Sequence, residues 1–288
     1  MLTRLQIDRV VTAALEEDAP WGDLTSDYLI PEDAVATAEL VGREAGVFSG
    51  GDVFAAAFRL ADPRIRVDLI AEDGEYFPAG ATLARVQGPA RGVLTAERIG
   101  LNFAQRMSGI ATLTNLYVAE VAHTGARIAD TRKTTPGLRA LERHAVRSGG
   151  GHNHRHSLSD AVMAKDNHLA VLTARGASVT QALQAAIARL PHTMHVEVEV
   201  DRLDQIDAVL AAGVGTIMLD NFSLDDLRQG VALIGGRATV EASGGVTLAT
   251  VRDIAETGVD VISVGALTHS ASALDLGLDM RVGLPDER

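Results

Sequence analysis

Seven short stretches of this chain carry residue types that could do chemistry, and they share a bias toward holding anions. Asp130 to Gly137 reads DTRKTTPG and puts two adjacent cations, Arg132 and Lys133, just ahead of a helix opening near Pro136. The free N–H groups of a helix start favour negative charge, and the cations add to that. Gly149 to His156 reads GGGHNHRH. Three glycines allow backbone shapes closed to other residues, so the loop can bring His152, His154, Arg155 and His156 close to a ligand. In an extended loop the histidines at 152, 154 and 156 share a side, and zinc is the competing reading. The flanking arginine and nearby cations oppose a metal ion there. Lys165 lies in AKDNH, one of only two lysines beside 24 arginines.

Glu199 and Asp220 are single carboxylates that close apolar runs, VEVEV and TIMLD. In a cationic site they can hold Mg²⁺, bond ribose hydroxyls or stabilise a developing positive charge. Glu197 faces the same side of an extended strand as Glu199, and spacing alone does not choose between them. EASGG (Glu241 to Gly245) and SVGALTH (Ser263 to His269) end two later runs with glycine turns that open into helices. Such turns can cradle a phosphate.

These residues need a scaffold that brings their ends together. From Ala126 onward, strand-like and helix-like segments alternate. The strands expected are ARIAD, DAVMAKD, HVEVEV, GTIMLDN, ATVEASGG and VDVISVG, with helices such as PGLRALERHAVRS and SLDDLRQGVALIG between them. That alternation predicts successive βαβ units and a parallel sheet. The polar residues fall at the strands' C-terminal ends, where the loops of a (β/α) barrel converge. A barrel is therefore expected over a doubly wound open sheet. Before residue 92 the pattern differs. A helix is expected at Thr3 to Glu17, followed by short runs, TAELVGREAGVFSG, IRVDLI and TLARVQG, that predict a small antiparallel sheet. Thr95 to His123 is the longest helical stretch, with Gly109 as an expected break.

Composition bounds the rest. The chain has 288 residues, 47% of them hydrophobic and only 3% aromatic, so its core is aliphatic. It has no cysteine, which excludes disulfides, zinc–thiolate sites and thiol nucleophiles. The longest stretch free of charged residues, Val261 to Leu274, is too short to span a bilayer. With no signal-peptide pattern at the N-terminus, the expectation is a cytoplasmic protein. A net charge of −12 argues against nucleic acid as a partner. Against that background residues 127–168 hold eight Arg and Lys and four Asp and Glu, a net +4, with five of the nine histidines. A small, highly charged anion fits such an island.

Taken in order, the motifs LTAERIGLN, SGIAT, DTRKTTPGLRALE, GGGHNHRHSLSDAVMAKDNH, VEVEV, LDN, EASGGV and VGALTH resemble the quinolinate phosphoribosyltransferase family over nearly the whole length. The resemblance implies an N-terminal α/β sandwich, residues 1–108 joined by 270–288, and a C-terminal incomplete α/β barrel over 109–269. It implies a transferase of NAD biosynthesis that joins quinolinate to phosphoribosyl pyrophosphate with Mg²⁺, releasing pyrophosphate and CO₂. It also implies a homodimer or larger assembly in which Arg98 crosses into the neighbour's site. By the same matching Arg132, Lys133, His154, Arg155 and Lys165 form the pocket for quinolinate and the diphosphate. Glu199 and Asp220 are the ribose and magnesium carboxylates, which selects Glu199 over Glu197. Ser243, Gly244, Gly245, Gly265 and His269 form the 5′-phosphate cradle. Lys133, Lys165, Glu199 and Asp220 are expected to carry the catalysis. Two departures, Ser157 and Ala164, stand beside the pocket where the family often has glycine and a bulkier apolar residue. Other readings are a molybdenum-associated paralogue, an aldolase or decarboxylase with Lys165 as Schiff base, and a non-catalytic anion-binding protein.

Overall fold

The computed structural model describes residues 2–174 and 176–284. In chain order it runs α1 (Arg4–Asp18), α2 (Leu24–Leu29), β1 (Val35–Gly42), β2 (Gly46–Val47), α3 (Gly51–Ala61), β3 (Arg66–Leu69), β4 (Tyr76–Phe77), β5 (Thr82–Pro89) and the long α4 (Ala90–Val121). β6 (Arg127–Ala129), α5 (Arg139–Ser148), β7 (Val162–Ala164), α6 (Asp166–Thr173), α7 (Val179–Ile187), β8 (Val196–Val200) and α8 (Ile206–Leu210) follow. The chain continues through β9 (Thr216–Asp220), α9 (Leu224–Ile234), β10 (Thr239–Ser243), α10 (Val251–Ala255), β11 (Val261–Ser263) and α11 (Ala266–His269) to β12 (Leu276–Gly283). It divides into two compact units. One holds residues 1–115, 134–150 and 267–288; the other holds 116–133 and 151–266.

The first unit is built on an antiparallel sheet of order β12-β1-β5-β3. The alternation of ATAEL in β1 puts Ala36, Ala38 and Leu40 inside. Phe48, Phe54 and Phe58 supply its largest buried side chains, with the last two rings packed edge to face at 4.9 Å. β12 pairs antiparallel with β1, so the chain's last described strand belongs to this unit.

Two expectations need correction here. α3 was not anticipated, because its sequence follows a strand-like run and two glycines, and Gly50 at its start offers no side-chain cap. The cap comes from Asp73, whose Oδ1 accepts the Gly50 and Gly51 N–H groups at 2.9 and 3.0 Å. Gly109 is not a break either: α4 runs through it unbroken. A Cβ there would lie 1.9 Å from the Ser272 carbonyl oxygen, so glycine is present for close backbone approach.

The second unit is a six-stranded parallel sheet of order β6-β11-β10-β9-β8-β7. From β7 to β11 each strand lies beside its successor, and β11 pairs with β6, which is the ring order of a barrel left open between β6 and β7. On one face Ile128, Val198, Ile217, Leu219, Val240 and Ile262 are buried. Helices cover that face; a Cβ on Gly230 of α9 would press on Leu219 at 2.8 Å. The opposite face carries the polar residues.

Candidate active site on the strand ends

Side chains alternate along a strand, so residues two apart share a face. Glu199, Asp220 and Ser243 close β8, β9 and β10, or stand next to the close, on the same face. The register puts Glu199 beside Met218 and Asp220 beside Ser243. Lys165 follows β7 directly, and Ala164 pairs with Val198, so the lysine emerges next to Glu199. The two form an ion pair with the lysine Nζ donating to Glu199 Oε2. Both remain partly open to solvent.

The rim continues through two tight loops. Asn221 adopts a left-handed backbone at φ 57°, donates its N–H to the Ser243 carbonyl at 2.8 Å and its Nδ2–H to Asp220 at 2.8 Å. Gly244 follows at φ 94°, where a Cβ would meet Asn221 Oδ1 at 2.1 Å. The EASGG glycine is thus required by contact with the neighbouring loop. Gly245 also has positive φ, and Gly265 lies between β11 and α11.

The glycine-rich segment after Gly150 occupies the gap between β6 and β7. His152 bridges to Ala129 in parallel fashion, so the segment extends the sheet by one short stretch. Asp130, wholly buried, anchors it by accepting Asn153 Nδ2–H at 2.6 Å and the His154 N–H at 2.8 Å. Arg155 donates to the Ala161 carbonyl at 3.1 Å. Burial and then repulsion from the Arg132 charge push its pKa down.

His154 turns inward. Its Nε2 lies 3.1 Å from Glu197 Oε2 and 3.5 Å from Glu241 Oε1. Both carboxylates are buried, one step below the rim on β8 and β10, and each keeps an Oε1 without a hydrogen-bond partner. Burial works against charge on the ring, but the carboxylates outweigh it and raise the His154 pKa to about 10. Burial raises the Glu197 pKa in turn. The Arg155 backbone nitrogen lies 2.7 Å from His154 Nδ1. A hollow of about 380 Å³ reaches this cluster, lined also by Arg127, His195 and Thr216.

Of the thirteen residues expected at the site, eleven lie in the second unit: Arg132, Lys133, His154, Arg155, Lys165, Glu199, Asp220, Ser243, Gly244, Gly245 and Gly265. Arg98 and His269 belong to the first. Arg98 is exposed on α4 beside a hollow of about 340 Å³ lined by Asp23, Thr25 and Thr95. His269 Nδ1 is 2.6 Å from Ser270 Oγ. Glu197 and Glu199, inseparable by spacing, have different surroundings: Glu199 meets Lys165, and Glu197 is sealed against His154. Glu241 and Asp130 were given no role from sequence. Each is an acid ending or interrupting an apolar run that is buried in the structure, a signal that was there to be read.

The chain matches two family models, "Quinolinate phosphoribosyl transferase, N-terminal domain" over residues 23–108 and "Quinolinate phosphoribosyl transferase, C-terminal domain" over residues 110–279. It is 45% identical to the nicotinate-nucleotide pyrophosphorylase [carboxylating] of Mycobacterium leprae, covering 94% of this chain and 95% of the relative. It is 39% identical to the probable enzyme of that name from Bacillus subtilis, covering 97% and 95%. The crystal structure of NadC from Streptococcus pyogenes superimposes with a TM-score of 0.93 at 40% identity over 99% of both chains. That of the nicotinate-nucleotide pyrophosphorylase from Francisella tularensis does so with a TM-score of 0.90 at 37% identity over 98% of both.

Proposed function

The chain belongs to the quinolinate phosphoribosyltransferase family, and from that premise we propose how its residues divide the work. The reaction joins quinolinate to phosphoribosyl pyrophosphate and yields nicotinate mononucleotide, pyrophosphate and CO₂, a step of NAD biosynthesis. Family membership sets aside the Schiff-base and binding-only readings.

The pyridine nitrogen is itself the nucleophile toward the anomeric carbon of the ribose, so no side chain need form a covalent bond. Catalysis then consists of positioning and of matching charge where it develops. Arg132, Lys133, Arg155 and Lys165 are the groups we assign to the quinolinate carboxylates and the leaving pyrophosphate. Glu199 and Asp220 face the ribose, whose anomeric carbon gains positive charge as the pyrophosphate departs. Once the ring nitrogen is bonded to carbon it carries positive charge and accepts the electron pair released as CO₂ leaves. The loops at Ser243 to Gly245 and at Gly265 offer backbone N–H groups to the 5′-phosphate. His154 supports the pocket from below.

Magnesium fits the donor set. Glu199 and Asp220 are hard oxygen ligands on adjacent strand ends, and Mg²⁺ is commonly held by one or two carboxylates together with substrate phosphates. It would supply charge neutralisation for the pyrophosphate. We further propose a homodimer in which Arg98 serves the neighbour's site, and a cytoplasmic location. No described helix is long and apolar enough to cross a membrane.

The observation that carries this reading is the convergence of Lys165, Glu199, Asp220 and Ser243 on one face at the ends of four consecutive strands. The test is incubation with quinolinate and phosphoribosyl pyrophosphate, with and without Mg²⁺. Nicotinate mononucleotide by mass spectrometry, formed only with the metal, is the result expected. Absence of product under both conditions overturns the reading.

A further inference from the structure

Asp130 follows β6 directly, and no step of the reaction uses it. It is wholly buried, and a carboxylate taken out of water is costly unless donors satisfy it. Two donors come from the glycine-rich segment of the same unit. Asn153 gives its Nδ2–H to Oδ2 at 2.6 Å, and the His154 backbone gives its N–H to Oδ1 at 2.8 Å.

The chain leaves the sheet at this point. His152 donates its N–H to the Ile128 carbonyl at 2.8 Å, and its own carbonyl accepts the Asp130 N–H at 3.0 Å. Up to His152 the segment therefore runs as a parallel neighbour of β6. One more step of that ladder would bring the His154 N–H to the Asp130 carbonyl. The Asp130 side chain takes that N–H instead. Residues 153–155 lie outside any helix or strand, so their path depends on such side-chain contacts. The Arg155 guanidinium is held farther on by the Ala161 carbonyl at 3.1 Å and the Met163 sulfur at 3.6 Å. We propose that Asp130 is a positioning residue for Arg155: by holding the Asn153 side chain and the His154 N–H it sets the direction in which the chain departs from the sheet, and so aims the guanidinium that meets quinolinate. This rests on the reading that Arg155 lies in the quinolinate pocket. Asp130 itself needs no contact with substrate.

Exchanging the two side chains in the full chain tests this. Asn153→Asp sets two carboxylates against each other where the 2.6 Å bond stood. Assayed above neutral pH, where a shared proton is scarcest, this variant is expected to bind quinolinate about tenfold more weakly by calorimetry. Adding Asp130→Asn restores both bonds with the roles exchanged, since the amide NH₂ donates to the new carboxylate and the amide oxygen accepts the His154 N–H. The double variant is expected to return to within about threefold of wild-type affinity. Asn153→Ala removes one bond without adding charge; it is expected to lose about threefold or more, and it stands in if Asn153→Asp does not fold. A Tm that falls in the single variants while quinolinate affinity stays within about twofold would overturn the proposal, because Asp130 would then only hold the fold together. So would a double variant that regains the wild-type Tm without regaining affinity. A wild-type chain that does not bind quinolinate at all would instead remove the functional reading beneath it, and this inference with it.

Discussion

Replacing Gly244 by alanine tests whether the loop after β10 is shaped for a ligand. The glycine sits at φ 94°, a region in which a side chain strains the backbone by about 1–3 kcal/mol. The added Cβ would stand 2.1 Å from Asn221 Oδ1 and 3.0 Å from the Asn221 backbone nitrogen. Rotating the Asn221 side chain relieves the first contact and breaks its bond to Asp220; the second yields only if the backbone moves. The Asn221 N–H to Ser243 carbonyl bond, 2.8 Å, lies in the path of that movement. A cost of about 2 kcal/mol corresponds to a fall of roughly 4–8 °C in Tm for a domain of this size. The same movement displaces Ser243 and Asp220, so the KM for phosphoribosyl pyrophosphate should rise by an order of magnitude while quinolinate affinity changes little. Thermal unfolding and steady-state kinetics with phosphoribosyl pyrophosphate as the varied substrate measure both. A variant with Tm within about 1 °C of wild type and an unchanged KM would refute the reasoning, since the contact would have been absorbed without consequence.

Arg98→Ala and Lys165→Ala chains, each inactive alone, should recover up to about a quarter of wild-type activity when unfolded and refolded together, because half the mixed dimers' sites are intact. Recovery of nothing, with mixed dimers detected by mass spectrometry, counts against a shared site. Gly109→Ala should lower Tm despite alanine's better helix propensity, because its Cβ meets the Ser272 oxygen at 1.9 Å; an unchanged or higher Tm would show that the two backbones can part. Asp73 is pushed up by burial, but the His144 ring at 2.6 Å and the Gly50 and Gly51 N–H groups hold its pKa below the ordinary 3.8. Its contribution is thus complete above that value and is lost as pH falls through the lower folded value. The stability difference between wild type and Asp73→Asn should shrink over that acid range in pH-dependent denaturation; a constant difference would show that the charge is not involved.

The barrel was legible because each of its strands is a short apolar run closed by a polar residue, and the helices between them are long enough to be distinct. The rim followed from the same feature, since Lys165, Glu199 and Asp220 are the residues at which apolar character stops. What local pattern could not convey was who meets whom. Asp73 caps α3 from 22 residues away, and no property of the helix's own sequence announces it. The inward turn of His154 depends on the register of β8 and β10, which sequence spacing does not contain. Gly109 looked like a helix breaker because the backbone that presses on it, at Ser272, is far along the chain. β12 has an alternation too weak to announce a strand on its own.

The central claim is that the cations at the strand ends of the second unit form one pocket for a doubly acidic pyridine. Calorimetric titration of quinolinate into wild-type and Lys165→Ala chains tests it most directly. Loss of a charge-assisted hydrogen bond is worth about 1.5–3 kcal/mol. A tenfold or greater loss of affinity is therefore expected in the variant. Equal affinities in the two proteins would contradict it.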